Sequence, residues 1–182
     1  MPRITPIRSK DQVAPEHHAV FDAIAESRGE VRGPFSMLMH SPEMAGRAAH
    51  LGAFLRFEGL LDNATLETAI ISAARQMNCP YEWAAHVVMA RKAGVSEDIV
   101  TAIRDRKNDA LPADVRQVVD YAQRVARDNG RVDEATVKAI GARFGVRGLV
   151  ELTTTVGYYG MIAAVLNAFD VQPAPDADKL PV

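Results

Sequence analysis

The sequence predicts an all-α protein. Apolar residues recur at the helical period through most of its 182 residues, alternating β-branched runs are nearly absent, and proline or glycine stands where the periodic segments begin and end.

The first helix is expected over Pro15 to Ser27, with Gly29 as its stop. The stretch GPFSMLMHSP, Gly33 to Pro42, is apolar but short and punctuated, which reads as a buried connector with at most one helical turn. Its Met37 and Met39 read as gap-filling core residues. Ser41-Pro42 supplies an N-cap and a first-turn proline for a helix to Phe57, stopped by Gly59. Helices over Ala64 to Met77 and Pro80 to Ala93 follow, and the short link at Asn78 folds them into an antiparallel hairpin. Beyond Gly94, Ser96 caps a helix over Glu97 to Arg106. Ala113 to Asp128, Glu134 to Phe144 and Arg147 to Phe169 complete the set, with Gly130 and Gly145 as stops. The tail QPAPDADKLPV is proline-rich and polar, and is expected to stay mobile or to lie extended over a neighbouring subunit. These elements describe one helical domain over 1–182, with a core at about 33–170 and an extended tail at 171–182. Leu61-Asp62-Asn63 before one helical pair and Leu111-Pro112-Ala113-Asp114 before another point to two halves of similar plan.

Composition narrows the partners. With 21 basic and 23 acidic residues and a net charge of −2, the chain offers no basic footprint for nucleic acid and no polybasic arm for a membrane surface. One cysteine excludes an internal disulfide framework, and the start MPRITPIRSK has no apolar signal region, which points to the cytoplasm. The longest apolar-rich stretch, Tyr158 to Phe169, is interrupted by Gly160 and Asn167 and falls short of the roughly 20 residues of a membrane span. A soluble protein acting on a small molecule is the expectation.

The candidate chemistry lies in CPYEWAAHVVMARKAG, Cys79 to Gly94. Pro80 suits the first helical position, which makes Cys79 the N-cap; unpaired backbone N–H groups there favour a thiolate and lower a thiol's pKa. At about 100° per residue, Cys79, Glu82, His86 and Ala93 fall within an arc of about 60°, flanked by Trp83, Met89 and Ala90. Arg91 and Lys92 point elsewhere, so the acid and the imidazole share the apolar side while the cations take the outer one. In the preceding helix the polar stripe is Thr68, Ser72, Arg75 and Gln76. Glu67 is off that stripe, beside Ile71 and Ala74, where a carboxylate is partly buried and needs a partner. The hairpin brings Glu67 towards His86. A structural pair in a helical core and a small buried cysteine is the bland alternative; for a proton-transfer site, burial is expected to raise the acids' pKa values and lower the histidine's.

At these residues the chain resembles the carboxymuconolactone decarboxylase family, which also holds the AhpD-like alkylhydroperoxidases. That family's motif is a glutamate, a Cys-x-x-Cys, and a histidine three residues beyond the second cysteine. Glu67, Cys79 and His86 match at the same spacing, and Glu82 stands in place of the second cysteine. The resemblance implies an all-helical AhpD-like bundle, assembled as a homo-oligomeric trimer or hexamer with sites near subunit contacts. Without a second thiol the dithiol cycle of an AhpD-like peroxidase cannot run as the family runs it. The decarboxylase branch, with Glu-x-x-x-His where this chain has Glu82 and His86, is closer. It implies His86 as proton donor or acceptor on a small carboxylated or lactone-like compound, assisted by Glu67 and Glu82. The departure on that side is VVMARKAGVSEDI after the histidine, where those enzymes typically carry Ala-Leu-Asn. The alternatives are a peroxide reductase using Cys79 with an external thiol, and a non-catalytic oligomeric binding protein.

Tyr158 and Tyr159, between Gly157 and Gly160, are candidates for lining the substrate pocket, with core packing as the equal alternative; Trp83 is a further candidate. His40 and His50 flank the entry to a helix as weaker candidates, and His17-His18 reads as surface. A metal on Glu67, Glu82 and His86 is geometrically conceivable, but a single histidine and no second Glu-x-x-His make the cluster metal-free in expectation. No cofactor motif occurs.

Overall fold

The computed structural model describes residues 1–127 and 130–181. Its elements are helices alone: α1 His18–Arg28, α2 Pro34–Leu38, α3 Pro42–Phe57, α4 Asn63–Gln76, α5 Pro80–Lys92, α6 Glu97–Arg104, α7 Ala113–Arg127 and α8 Glu134–Ala168, with 3-10 turns at Lys10–Gln12, Pro15–His17 and Asn108–Ala110. No strand occurs among the described residues. The helix expected over Ala113 to Asp128 is present over Ala113–Arg127, and Asp128 lies outside the described residues.

Two compact units divide the chain: Met1–Glu58 with Ala164–Gln172, and Gly59–Ala163 with Pro173–Val182. In the first, α1 and α2 pack on α3. The apolar connector forms α2, whose Phe35, Ser36, Met37 and Leu38 are buried, with the Ser36 hydroxyl donating to the Gly33 carbonyl at 2.7 Å. The chain start is tied to the end of α8 by the Arg3 N–H, which donates to the Phe169 carbonyl at 2.8 Å.

The second unit is built around α4, which packs on both α5 and α7. Every residue from Leu66 to Arg75 is buried, as expected of a helix with neighbours on opposite faces. Of the polar stripe, Thr68, Ser72 and Arg75 are buried, and the Ser72 hydroxyl satisfies itself on the Thr68 carbonyl at 2.6 Å. One apolar cluster joins Ile71 and Ala74 of α4 to Trp83, Val87 and Ala90 of α5 and Ile103 of α6. Another joins Ala69 and Ala73 to Val118, Tyr121 and Ala122 of α7 and Ile140, Leu152 and Val156 of α8.

The two helices expected at the end of the chain are both present, joined within α8 across a break at Gly145 (φ 72°, ψ 173°), a backbone region that only glycine enters without strain. Gly160 and Asn167 do not interrupt it. By length and composition α8 is apolar enough to cross a membrane, contrary to the sequence expectation; half of its most apolar window is buried inside the protein. The tail lies along its own chain: Leu180 is buried beside Trp83 and Ile103, and Asp178 receives two hydrogen bonds from Arg91, at 2.6 and 2.9 Å.

The turn between α4 and α5 is fixed by backbone geometry. The Cys79 N–H donates to the Ala74 carbonyl at 2.9 Å and the Asn78 N–H to the Arg75 carbonyl at 3.3 Å. This pair of bonds closes a helix through a left-handed residue, here Asn78 at φ 46°. Arg75 Nη1 grips the Asn78 side chain at 2.8 Å, and the Cys79 carbonyl accepts the first bond of α5, from the Trp83 N–H at 3.1 Å. Cys79 thus ends one helix and starts the next.

Candidate active site

The hairpin places Glu67, in the second turn of α4, against the middle of α5. His86 Nδ1 lies 2.8 Å from Glu67 Oε2, and its Nε2 lies 3.3 Å from Glu82 Oε2. All three residues are buried: Glu67 is 6% exposed, Glu82 4% and His86 9%. An imidazole whose two nitrogens both face carboxylate oxygens is satisfied as the doubly protonated cation, since the neutral ring has one N–H to donate. Burial pulls the His86 pKa down, but the hydrogen bonds and charges of Glu67 and Glu82 outweigh it and lift the group to about 9. The expected lowering is therefore reversed, because desolvation acts alone only where no acid partner accompanies the imidazole into the core.

Tyr159 packs edge-on against the His86 ring (centroids 4.8 Å apart, planes at 82°), and Tyr158 packs edge-on against Tyr159 at 5.3 Å. Both tyrosines are buried. With the hydrogen bond to Glu67, this contact holds the imidazole from two sides.

Cys79 is the N-cap of α5, as its spacing predicts, but its side chain is wholly buried. Burial pushes its thiol up to about 11, against the pull of the Glu82 and Tyr81 backbone N–H groups and with help from the Glu82 charge. The helix N-terminus is present, yet it does not produce a thiolate. Trp83 is 1% exposed and belongs to the apolar core between α4, α5 and α6, not to a substrate surface. His50 is exposed on α3 in the first unit. His40, also in the first unit, is exposed and contacts the Thr5 carbonyl at 2.9 Å. No group of His, Cys, Asp and Glu suited to a metal occurs among the described residues.

Sequence reasoning gave no sign of Glu151. This buried carboxylate of α8 accepts the Leu60 N–H at 2.6 Å and Arg147 at 2.7 Å, fastening the segment that leads into α4. A lone glutamate four residues after an arginine was the only signal for it.

The chain is an all-α protein whose α4–α5 hairpin carries an acid–imidazole–acid cluster in its seam. The model of the carboxymuconolactone decarboxylase family matches residues 42–123, a segment that holds Glu67, Cys79, Glu82 and His86. Solved structures share the fold. A peroxidase-related protein with the alkylhydroperoxidase AhpD core from Ralstonia eutropha is 17% identical, with 96% of this chain and 93% of that one covered and a TM-score of 0.79. A cysteine-to-alanine variant of the debrominase Bmp8 in complex with 2,3,4-tribromopyrrole is 16% identical, with 93% and 90% covered and a TM-score of 0.73. The ligand-free debrominase is 18% identical, with 94% and 92% covered and a TM-score of 0.71. No curated protein matches the sequence.

Proposed function

We propose that the chain is an enzyme of acid–base type, moving a proton at a small carboxylated or lactone-like compound through His86. The observation that carries this reading is the asymmetry of the two histidine contacts. Nδ1 is held by Glu67 at 2.8 Å, while Nε2 meets Glu82 at 3.3 Å, a longer contact that a substrate atom can replace. Glu67 is then the positioning partner, and Nε2–H is the proton donor. After the proton is given up, Nδ1–H still donates to Glu67, so the neutral imidazole keeps its orientation. Glu82 is placed to accept a proton from the substrate and return it to Nε2, which closes the cycle with no oxidant or metal.

A structural pair requires one carboxylate. The second acid on the far nitrogen, carried into the interior at the cost of its hydration, supports a catalytic reading over a purely structural or binding role. Thiol-dependent peroxide reduction, a possible activity of a protein of this fold, has less support, because the single thiol is buried and shifted upwards. The exposed apolar residues Val146, Val150 and Met161 along α8 support the self-association that the family resemblance implies; sedimentation of a Val150→Lys variant tests it.

The decisive experiment compares the wild type with His86→Gln and Cys79→Ala across a set of lactones. We expect the first variant to lose turnover by about 10²–10⁴-fold and the second to retain it. Unchanged turnover in His86→Gln would end the acid–base reading. Oxidation of Cys79 by peroxide, followed by mass, would revive the thiol reading.

A further inference from the structure

Helices α4 and α6 end side by side with the same kind of closure, and one of the two ends carries an unusual residue. α4 closes on Asn78, as described above. α6 closes on Arg106: the Lys107 N–H donates to the Ala102 carbonyl at 2.8 Å and the Arg106 N–H to the Ile103 carbonyl at 3.2 Å, with Arg106 in the left-handed region at φ 59°. α5 closes in the same way through Gly94, at φ 91°. Glycine is the ordinary occupant of such a position and asparagine the next, because a longer side chain crowds the following carbonyl. Arginine has no local preference for it, so the reason for Arg106 lies at the far end of its side chain.

That end lies beside a second guanidinium. Arg106 Nη1 donates to Gln76 Oε1 at 3.2 Å and its Nη2 to Asn78 Oδ1 at 3.3 Å, the same oxygen that Arg75 Nη1 reaches at 2.8 Å. Arg75 is itself fixed: it is buried, and its Nε donates to the Arg104 carbonyl at 2.7 Å. Two cations thus converge on one neutral oxygen. Asp105, the acid whose charge reaches Arg75, is bound by Arg104 at 2.8 Å. Burial holds the Arg75 guanidinium below its ordinary pKa, the charge of Arg106 adds to the lowering, and Asp105 opposes it with the smaller effect. Among the described residues, the hydrogen bonds of Arg75 and Arg106 all run to neutral oxygens. A guanidinium has more N–H donors than these bonds use, and Arg106 and Asn78 are exposed, so donors remain on the solvent side.

Capping of helix carbonyls accounts for part of this arrangement. Arg75 on the Arg104 carbonyl is a sound cap, whereas Arg106 reaches the Arg75 carbonyl only at 3.5 Å. Capping does not account for bringing two like charges together, which is unfavourable until an anion joins them.

We propose that Arg75 and Arg106 form a binding site for a phosphoryl dianion where the ends of α4 and α6 meet. A tetrahedral oxyanion accepts from two guanidinium forks at once and cancels both charges; a carboxylate offers one edge and one charge. The left-handed backbone at Arg106 is what aims its fork at Asn78, and Asn78 holds the two forks at one spacing. The site lies at the end of α4 away from Glu67 and requires nothing of the acid–base cluster.

The test titrates inorganic phosphate into the intact protein at constant ionic strength set with sodium chloride, following the Nε–H resonances of Arg75 and Arg106 by NMR. Saturable shifts of both are expected, with acetate at least tenfold weaker. Arg106→Gly is expected to keep a denaturant midpoint close to or above that of the wild type in phosphate-free buffer, since glycine relieves the left-handed backbone, and to bind phosphate at least tenfold more weakly, read at Arg75. Arg106→Lys, which keeps the charge without the fork, is expected to fall between the two. Methyl phosphate binding as well as inorganic phosphate would identify the phosphate group of a larger molecule as the ligand, and its exclusion would identify the free ion; either upholds the site. No saturable shift, equal binding of acetate, phosphate binding unchanged in Arg106→Gly, or a large fall in the midpoint of that variant, which would make Arg106 a structural cap, would each overturn the proposal.

Discussion

Helix α5 carries two clusters of charge on opposite faces, and their contrast shows what burial does to an ion pair. On one face His86 sits between Glu67 and Glu82, with side chains 5–11% exposed. On the other, Arg91 holds Glu97 and Asp178, with side chains 33–62% exposed. Both clusters join one cation to two carboxylates, and the outer one has the more complete hydrogen bonding. Water nevertheless screens the outer cluster, so its carboxylates cost little to lose. The inner cluster was brought out of water against a penalty, and removing any member leaves a charge stranded. Protein chemistry concentrates in the second kind of place because there a proton's position matters.

The largest effect expected from breaking this contrast is on the buried side. Glu67→Leu removes the tighter partner of His86 and leaves an unpaired group in the core; we expect a loss of about 3–5 kcal/mol, read by urea denaturation, together with a fall in the His86 pKa by NMR. Next comes pH. His86 has a folded pKa raised to about 9 from an ordinary value of 6.5, so its contribution is fully present below about 6.5 and is lost as pH rises through about 9. Denaturant midpoints measured from pH 6 to 10 are expected to fall over that window, by up to about 3 kcal/mol, and the fall is expected to flatten in His86→Gln.

A test of shape without charge follows. Gly145→Ala meets no neighbouring atom, yet it forces a side chain into a backbone region reserved for glycine, and we expect about 1–3 kcal/mol of destabilisation. The smallest effect belongs to the outer cluster. Asp178→Asn is expected to cost at most about 1 kcal/mol, shrinking further in high salt. A loss there as large as that of Glu67→Leu would erase the distinction between the two faces.

How much of this was legible in the sequence depends on the range of the interactions involved. The helix Pro42–Phe57 falls where Ser41-Pro42 and the periodicity put it, and the meeting of Glu67 with His86 follows from two helical periods and a short link at Asn78. Both are local facts carried over short distances. The sign of the His86 shift was misread because it is a balance between desolvation and two acids, and their distances from the ring decide it. Cys79 was misread for a similar reason: its N-cap position is local and correct, whereas its complete burial depends on the packing around it. Trp83 occupies the flank of the site face by angle alone, yet it is core, since α6 covers that flank. The hold of Asp178 on Arg91 spans 87 residues, and nothing in either neighbourhood announces the other.

The double use of Cys79, as the end of one helix and the start of the next, makes the α4–α5 turn a length gauge. Substituting a residue beside it alters one contact. Inserting one within α5 ahead of His86 would turn the rest of that helix by about 100° relative to α4, carrying His86 off Glu67 and bringing a different side chain to face the acid. For this segment a change in length is therefore a more severe event than a change in letter, and a homologue that keeps the cluster is expected to keep the number of residues between Glu67 and His86 even where it keeps few of their identities.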